Sequence, residues 1–310
     1  MKVLVTGGTG FVGRAVIAQL RRHEHEISLL VRDPNAPAAR SLVRQHGVEL
    51  RPGDFQNPSS LVRACMDVDA VIHLVGIISE LGTQTFRNVH TVATENLLHA
   101  AVENRVKRFV HMSALGTRAG AVARYHQTKW EAENAVRRSG LNWTIFRPSI
   151  IYGPGDHLLT LFSRIARRSP LLPVVGRGEG LLQPITVEAV AECFVKSLEI
   201  PESIGGTYDL CGRERLSFEA LLRQLLRAME LRRALFKLPV PMARLNAAFL
   251  EWFCPKVLGR PAPLTRDQIV MLQEDNIGNP EAAETLFQYP IIPLGSRLTE
   301  LFGPGAALRP

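Results

Sequence analysis

A glycine-rich loop near the start of the chain constrains the fold more than any other feature. The stretch VTGGTGFVGR (5–14) follows an apolar run, precedes a helical pattern, and has glycines at positions 7, 10 and 13. In a dinucleotide-binding loop, such glycines allow a tight turn, a close approach of the backbone to the pyrophosphate, and close packing of helix on strand. The strand–loop–helix context distinguishes this motif from a flexible turn. The residues that we expect to contact a cofactor here are Gly7, Thr9, Gly10, Phe11, Val12 and Gly13.

Short apolar runs alternate with helical patterns over the first half of the chain. These runs are mostly continuous rather than alternating, which is typical of strands that are buried on both faces. They lie at 2–7, 26–33, 48–54, 70–76, 108–114 and 142–149. The alternation of strand and helix predicts an α/β fold, a doubly wound parallel sheet of the Rossmann type with right-handed crossovers.

The pattern changes after residue 150, where Pro-Gly punctuation and longer helical stretches begin. We predict a dinucleotide-binding domain over 1–155, to which the chain returns near 176–186 and 205–213. The remainder, 156–310, is predicted to be a small, mostly helical substrate or cap domain with a C-terminal tail. A ligand cleft is expected between the two parts, outside the carboxyl ends of the strands.

The end of the second predicted strand indicates which dinucleotide is bound. An acidic residue at this point accepts a hydrogen bond from the ribose 2′-hydroxyl of NAD, whereas an arginine pairs with the 2′-phosphate of NADP. The strand ends at Arg32, and Asp33 follows directly. We favour NADP(H) over NAD(H), and the adjacent Asp33 leaves NAD(H) as the alternative.

The next two predicted strands end in residues suited to the adenosine half of the cofactor. In GDF (53–55), Asp54 is placed to accept from the adenine amino group and Phe55 to border the ring. In LVG (74–76), the glycine lets the backbone approach the adenosine. The residues that we assign to the cofactor from these strand ends are Asp54, Phe55, Leu74, Val75 and Gly76.

The stretch YHQTK (125–129) has the spacing of an acid–base pair. Tyr125 and Lys129 are four residues apart, so on a helix they lie on the same face. A phenol is a poor base at neutral pH, and a nearby ammonium favours its ionised form. The same spacing also fits the first turn of an ordinary amphipathic helix. Ser113, at the carboxyl end of a predicted strand, is a candidate to hold a substrate oxygen.

Several motifs, in this order along the chain, together resemble the short-chain dehydrogenase/reductase superfamily, in particular its extended and atypical branches. They are TGGTGFVG (6–13), GDF (53–55), NVHTVATENLL (88–98), MSALG (112–116), YHQTK (125–129) and RPSIIYGPGD (147–156). The resemblance implies a catalytic group of Tyr125, Lys129, Ser113 and Asn88. It also implies that Lys129 holds the cofactor ribose and that Pro148 lies near the nicotinamide.

The C-terminal tail is similar to that of one atypical subfamily. The stretches LTRDQIVMLQEDNI (264–277) and ETLFQYPIIPLGSRLTELF (284–302) resemble the dinucleotide-fold accessory subunit of mitochondrial respiratory complex I and its bacterial relatives. This implies either an NADP(H)-dependent oxidoreductase or a non-catalytic NADPH-binding accessory protein of a respiratory complex. A nucleotide-sugar epimerase or dehydratase is the third reading. It has less support, since only Arg177, Arg213 and Arg215 are candidates to bind a diphosphate.

Composition excludes several other classes of protein. The net charge is +8, but the basic residues are scattered, so we expect no nucleic-acid partner. Four separated cysteines without a Cys-x-x-Cys pair, and histidines without metal-ligand spacing, predict neither a metal site nor a disulfide framework.

The expected location is the cytoplasm, with the inner-membrane surface as an additional possibility. The N-terminus is typical of a first strand rather than of a signal peptide, and no apolar run is long enough to span a bilayer. The apolar and basic segment 235–261 is either a peripheral membrane or respiratory-complex contact, or the inner face of the small domain. The small-molecule substrate and the oligomeric state are left open.

Overall fold

The structure, a computed structural model, describes residues 1–306. Its strands are β1 (Lys2–Thr6), β2 (Glu26–Val31), β3 (Glu49–Pro52), β4 (Ala70–His73), β5 (Arg108–Met112), β6 (Asn142–Pro148), β7 (Ile151–Tyr152), β8 (Leu171–Val175), β9 (Leu181–Leu182), β10 (Ile185–Thr186), β11 (Gly206–Leu210), β12 (Leu216–Ser217) and β13 (Ala234–Leu238). Its helices are α1 (Phe11–Arg22), α2 (Pro37–His46), α3 (Pro58–Ala64), α4 (Ala93–Glu103), α5 (Arg124–Arg138), α6 (Leu158–Arg168), α7 (Val187–Lys196), α8 (Phe218–Ala228), α9 (Val240–Phe253), α10 (Arg266–Met271), α11 (Glu281–Phe287) and α12 (Leu294–Phe302).

Seven parallel strands form the central sheet, in the order β11-β6-β5-β4-β1-β2-β3. The strand order reverses between β1 and β4, and such a switch point opens a crevice at the carboxyl ends of the strands. Thr6, His73 and His111 are in register at these ends of β1, β4 and β5. The predicted doubly wound α/β fold of the Rossmann type, with a helical C-terminal region, is confirmed.

Alternate residues of each strand enter two different cores, because successive side chains point to opposite faces of a sheet. Val3 and Val5 pack on the side of α1 and α7, whereas Leu4 packs on the side of α3 and α4. All three side chains are fully buried. The strands therefore read as continuous apolar runs, although each face of the sheet receives only every second residue.

The C-terminal part of the chain builds a third core and also returns to the central sheet. Leucines of α8 pack with residues of α6 and α12 in this core. The returns are β11, which forms the edge of the sheet beside β6, and α7, which packs on α1. The division of the chain into two domains at residue 155 stays a prediction.

Within residues 1–306, no helix combines the length and the hydrophobicity that are needed to cross a bilayer. In the same part of the chain, no group of three or more histidine, cysteine, aspartate or glutamate side chains is arranged to hold a metal ion.

Candidate functional site

The loop between β1 and α1 lies at the switch point of the sheet. Its turn is closed by the Gly10 N–H, which donates to the Gly7 carbonyl at 3.0 Å. The helix α1 begins at Phe11, with no side-chain cap and no acidic residue in its first turn. Its N-terminal N–H groups are therefore available to an anion, as a dinucleotide loop requires.

The glycines of this loop fit the close approach of a phosphate-bearing ligand. Gly7 has φ +75°, and a Cβ there would come within 3.2 Å of the Leu74 carbonyl carbon. At Gly13, a Cβ would lie only 2.3 Å from the Gly7 carbonyl oxygen, so a side chain would push α1 away from the loop. The residues present thus form the cradle of backbone atoms that a pyrophosphate needs.

A cavity of about 420 Å³ opens beside this loop. Eight of the residues predicted from the sequence line it, namely Gly7, Thr9, Arg32, Asp54, Phe55, Val75, Gly76 and Asn88. Further lining residues include Asp33, Gln56, Ile77, Thr83 and Gln84. The volume is in the ordinary range for a small-ligand site. The fold therefore brings together residues from the ends of β1, β2, β3 and β4.

The other predicted residues lie outside the lining of this cavity, in one of two positions. The first group lies in the glycine-rich loop, in the first turn of α1 or at a strand end. It comprises Gly10, Phe11, Val12, Gly13, Leu74 and Pro148. Leu74 is buried, and its N–H donates to the Thr6 carbonyl at 3.2 Å. Pro148 is buried at the end of β6, where its carbonyl accepts from Leu115 N–H at 2.9 Å. The second group lies after β5 and on α5, and comprises Ser113, Tyr125 and Lys129.

Two neighbouring charged residues at the end of β2, Arg32 and Asp33, are both exposed and line the cavity, but Asp33 also has a hydrogen bond within its own turn. Arg32 is exposed and lines the cavity. The Asp33 carboxylate accepts a hydrogen bond from the Asn35 N–H at 2.8 Å, within its own turn. At the end of β3, Asp54 likewise accepts from the Gln56 N–H at 2.9 Å, and this bond orients its carboxylate.

Lys129 is buried between the ends of two strands. Its ammonium group Nζ donates to the Met112 carbonyl at 2.9 Å, and a Cβ added at Gly76 would lie 3.1 Å from the same nitrogen. The side chain is only 1% exposed. Burial lowers the pKa of Lys129 to about 8, although the nearby Glu133 carboxylate acts in the opposite direction.

Tyr125 lies one helical turn before Lys129, at the start of α5. Its half-buried ring meets the rings of Phe86, His90 and His126 edge-on, with centroid distances of 5.9, 5.2 and 5.2 Å. Burial raises the pKa of Tyr125 to about 12. The lowered pKa that the sequence leads us to expect for Tyr125 is therefore not found, because burial disfavours the charged phenolate and is the effect that dominates.

Ser113 follows β5 directly and is buried. Its backbone N–H donates to the Phe146 carbonyl at 2.8 Å, so this residue extends the pairing of β5 with β6. Its hydroxyl lies 3.4 Å from the Thr117 hydroxyl. The serine thus sits at the carboxyl edge of the sheet, as the sequence predicts.

Asn88 and His90 belong to one π-helical turn, Arg87–Val92, but they face different surroundings. Asn88 is exposed, and its side-chain amide donates to the Thr83 carbonyl at 2.9 Å. His90 is buried beside Tyr125, where its Nδ1 lies 2.9 Å from the Thr128 hydroxyl. Its Nε2 accepts from the Ile77 N–H at 3.1 Å.

His90 is the site residue that sequence reasoning missed. Its Nε2 lies equally close to the Ile77 carbonyl oxygen, at 3.1 Å, so these contacts fit either neutral tautomer of the ring. Burial, followed by repulsion from Lys129, lowers the pKa of His90 to about 2, so the ring is neutral. It bridges the loop after β4 to the helix α5. The spacing in the sequence could have indicated it, because His90 is two residues after Asn88 and two such residues lie on different sides of a helix.

Comparison with known proteins agrees with this geometry. A family model described as NAD(P)H-binding matches residues 7–201. The chain is 28% identical over 277 residues to the NADH dehydrogenase [ubiquinone] 1 alpha subcomplex subunit 9 of Arabidopsis thaliana, covering 88% of this chain and 68% of that one. It is 32% identical over 243 residues to the ceramide reductase of Caulobacter vibrioides, with coverage of 77% and 74%.

A solved structure shares the fold over nearly the whole chain. The UDP-glucuronic acid 4-epimerase of Bacillus cereus, in complex with UDP-glucuronic acid and NAD, superposes with a TM-score of 0.72. Its sequence is 21% identical, and the alignment covers 96% of each chain. The two sequence relatives confirm the resemblance that the motifs indicate, and this structure confirms the fold alone.

The burial of Lys129 predicts a dependence of stability on pH. Between about pH 8 and the ordinary lysine pKa of about 10.5, the folded chain has released this proton while the unfolded chain still holds it. The free energy of unfolding, relative to that of Lys129→Met, should therefore rise with pH in this window. The slope is at most about 1.4 kcal/mol per pH unit. Urea unfolding of both proteins from pH 7 upward measures it, and parallel profiles would contradict the assignment.

The different positions of His90 and Asn88 predict unequal effects of mutation. His90→Ala leaves the Ile77 N–H without its partner and removes a buried side chain, while the Thr128 hydroxyl keeps its bonds to the Arg124 and Tyr125 carbonyls; the change should cost about 1–3 kcal/mol of stability. Asn88→Ala is the matched control, since it removes an exposed side chain of the same helical turn and should change stability by less than about 0.5 kcal/mol. Urea unfolding compares the two. A larger loss in Asn88→Ala would show that Asn88 holds the turn in place.

Proposed function

Because the chain belongs to the NAD(P)H-binding family, we propose that it is an NADP(H)-dependent oxidoreductase of the atypical short-chain type, with Tyr125 as its general acid or base. The observation that carries the proposal is the position of Lys129. This cation is buried against Met112 O and next to Gly76, at the edge of the cofactor cradle, and it lies one turn from Tyr125. Burial of an ammonium group costs free energy unless the group is paired and hydrogen-bonded. Residues with pKa values perturbed by burial in this way are concentrated at functional sites.

The environments of Arg32 and Asp33 support NADP(H) rather than NAD(H). Arg32 is exposed at the cavity, and a guanidinium pairs well with a phosphate. Asp33 already accepts a hydrogen bond from the Asn35 N–H, which draws it into its own turn. One oxygen of the Asp33 carboxylate is thus bonded within its own turn, whereas the Arg32 guanidinium remains at the cavity as a partner for a 2′-phosphate.

The proposed roles of the protein groups follow from their positions. The nicotinamide, when bound, supplies or takes up the hydride. Lys129 keeps further N–H donors beyond the one that bonds Met112 O, and these are suited to ribose hydroxyls. Ser113 holds the substrate oxygen. Tyr125 is protonated at neutral pH, as a phenol is, and burial raises its pKa further to about 12; it donates that proton to the oxygen during carbonyl reduction.

His90 contributes to this site by positioning. Its hydrogen bonds to Ile77 N–H and Thr128 Oγ1 tie the loop that borders the cofactor cavity to the helix that carries Tyr125. A neutral imidazole is suited to this task, since a second cation beside Lys129 would be repelled. This ring is therefore one of the contacts that set the distance between the cofactor cavity and Tyr125.

A second candidate function is that of a non-catalytic NADPH-holding accessory protein of a respiratory complex. It is favoured by relatives named as subunit 9 of the NADH dehydrogenase alpha subcomplex, from Arabidopsis thaliana, Dictyostelium discoideum and Mus musculus. Exposed apolar side chains within 235–261 are a further argument, since such a surface commonly binds a partner. The nucleotide-sugar reading has less support, because Arg213 is paired with Glu284 at 2.9 Å.

The proposed acid predicts a selective loss of turnover. Tyr125→Phe should lower the rate of NADPH oxidation with a panel of carbonyl and quinone compounds by about 100-fold or more, and leave NADPH affinity unchanged. The matched control is Tyr208→Phe, a partly buried tyrosine of the sheet edge that lies outside the cofactor cavity. Equal turnover in wild type and Tyr125→Phe would overturn the assignment, and no turnover in either would favour the accessory role.

The proposed cofactor preference predicts a selective loss of affinity. Arg32→Ala should weaken NADPH binding by about 10-fold or more and leave NADH binding nearly unchanged, because only NADPH carries the 2′-phosphate. Arg44→Ala removes an exposed arginine of α2 that does not line the cavity, and serves as the control. Fluorescence titration with both dinucleotides measures the effect. Unaltered NADPH affinity in Arg32→Ala would contradict the preference.

A further inference from the structure

An unpartnered apolar surface lies on α9 and on the π-helical turn Cys254–Leu258 that follows it. We call it the α9 face. Its six large apolar side chains are each between 55% and 76% exposed, namely Met242, Leu245, Phe249, Trp252, Val257 and Leu258. Monomeric proteins seldom expose so many large apolar side chains on one element unless the surface binds something.

The α9 face is distinct from the side of the helix that packs on the protein. Ala243 and Ala247 are fully buried and pack with Ile269 of α10. The exposed residues Met242, Leu245, Phe249 and Trp252 follow helical spacing along the opposite side. Packing within the small domain therefore accounts for the alanines of this segment and leaves its large side chains uncovered.

The charges around the α9 face select the kind of partner. Arg244, Lys256 and Arg260 are exposed, and the Lys256 ammonium lies 5.5 Å from the centre of the Trp252 ring. The single carboxylate of 240–260, Glu251, is already paired with Arg266 at 2.7 Å. The face thus combines an apolar stripe, an exposed tryptophan and flanking cations. This is the composition of a helix that lies in the surface of an anionic bilayer.

We propose that the α9 face docks this protein on an anionic lipid bilayer, with α9 lying in the plane of the interface. A second copy of the chain fits less well, because symmetric pairing of the face would bring the three cations of each copy together. A bilayer instead places the apolar side chains among acyl chains and the cations at the lipid phosphates. The net charge of +8 favours approach to the same surface.

The docking surface is connected to the candidate site through the chain that follows it. The Ala262 carbonyl accepts from the Ser79 hydroxyl at 3.2 Å, in the loop after β4. Asp267 of α10 accepts from the backbone N–H groups of Arg124 and Tyr125 at 2.8 and 3.0 Å, and thereby caps α5. The segment that follows the α9 face thus contacts both the loop after β4 and the start of α5, whichever of the two proposed functions is correct.

Vesicle binding by the full chain tests the inference. Wild type should sediment with vesicles of phosphatidylcholine and phosphatidylglycerol at low salt, and only weakly with phosphatidylcholine alone. Leu245→Glu should lower the partition coefficient by about 10-fold or more, because it puts a charge among the acyl chains. Met66→Glu adds the same charge at an apolar residue that is 51% exposed outside the face, and should bind as wild type does.

A depth measurement separates insertion from simple electrostatic attraction. Lipids brominated on their acyl chains should quench the fluorescence of Trp252 on binding, and the quenching should be lost in Trp252→Phe, which keeps Trp130 and Trp143. Lack of binding to anionic vesicles, binding equal in wild type and Leu245→Glu, or quenching unchanged in Trp252→Phe would each overturn the proposal. The proposal would also be overturned if the wild-type protein were a dimer that Leu245→Glu dissociates and did not bind vesicles.

The same variants keep this inference independent of the proposed reaction. None of the α9-face residues lines the cofactor cavity, so Leu245→Glu should bind NADPH as wild type does. Loss of vesicle binding with normal NADPH affinity supports the docking surface alone. Loss of both vesicle binding and NADPH binding would show that Leu245→Glu damages the fold. The comparison of wild type with Trp252→Phe, which keeps an apolar ring at this position, would then test the docking surface, since the proposal requires that the lipid-dependent quenching is lost in this variant.

Discussion

The buried ammonium of Lys129 is the constraint on which the rest of the site depends. A charge in this position is costly, and it is stabilised by its hydrogen bond to the Met112 carbonyl. Gly76 has no side chain where a Cβ would come within 3.1 Å of the same nitrogen. The buried rings of His73 and His90 have pKa values lowered mainly by burial and then by Lys129, to about 3 and about 2. Burial is thus the main reason why these two rings are neutral, and Lys129 adds to it.

Contacts between distant segments hold the helix that carries this lysine. His90 joins α5 to the loop after β4 through Thr128 and Ile77. Asp267, far along the chain, accepts hydrogen bonds from the first N–H groups of α5, so the C-terminal part of the protein caps the helix that carries Tyr125 in its first turn. The α9 face belongs to the same C-terminal part. The site and the proposed docking surface therefore share one structural support.

Local patterns in the sequence predict much of the fold and of the cofactor cleft. The order of strands and helices predicts the doubly wound sheet, because buried parallel strands have continuous apolar runs. Once the sheet forms, its carboxyl ends meet at one edge, so Arg32, Asp54 and Gly76 were predicted to be neighbours and line one cavity. The same reasoning did not find His90, because the choice between it and Asn88 depends on which side of the π-helical turn packs against α5.

The sequence by itself determined the glycine cradle and the position of Tyr125 one turn before Lys129, since both follow from spacing within one loop or one helical turn. Tertiary structure decided the pKa values of these groups, because burial raises that of Tyr125 to about 12 and lowers that of Lys129 to about 8. It also decided that α9 turns its alanines inward and its large apolar side chains outward. Exposure and desolvation depend on segments that are distant in the chain, and no local pattern contains that information.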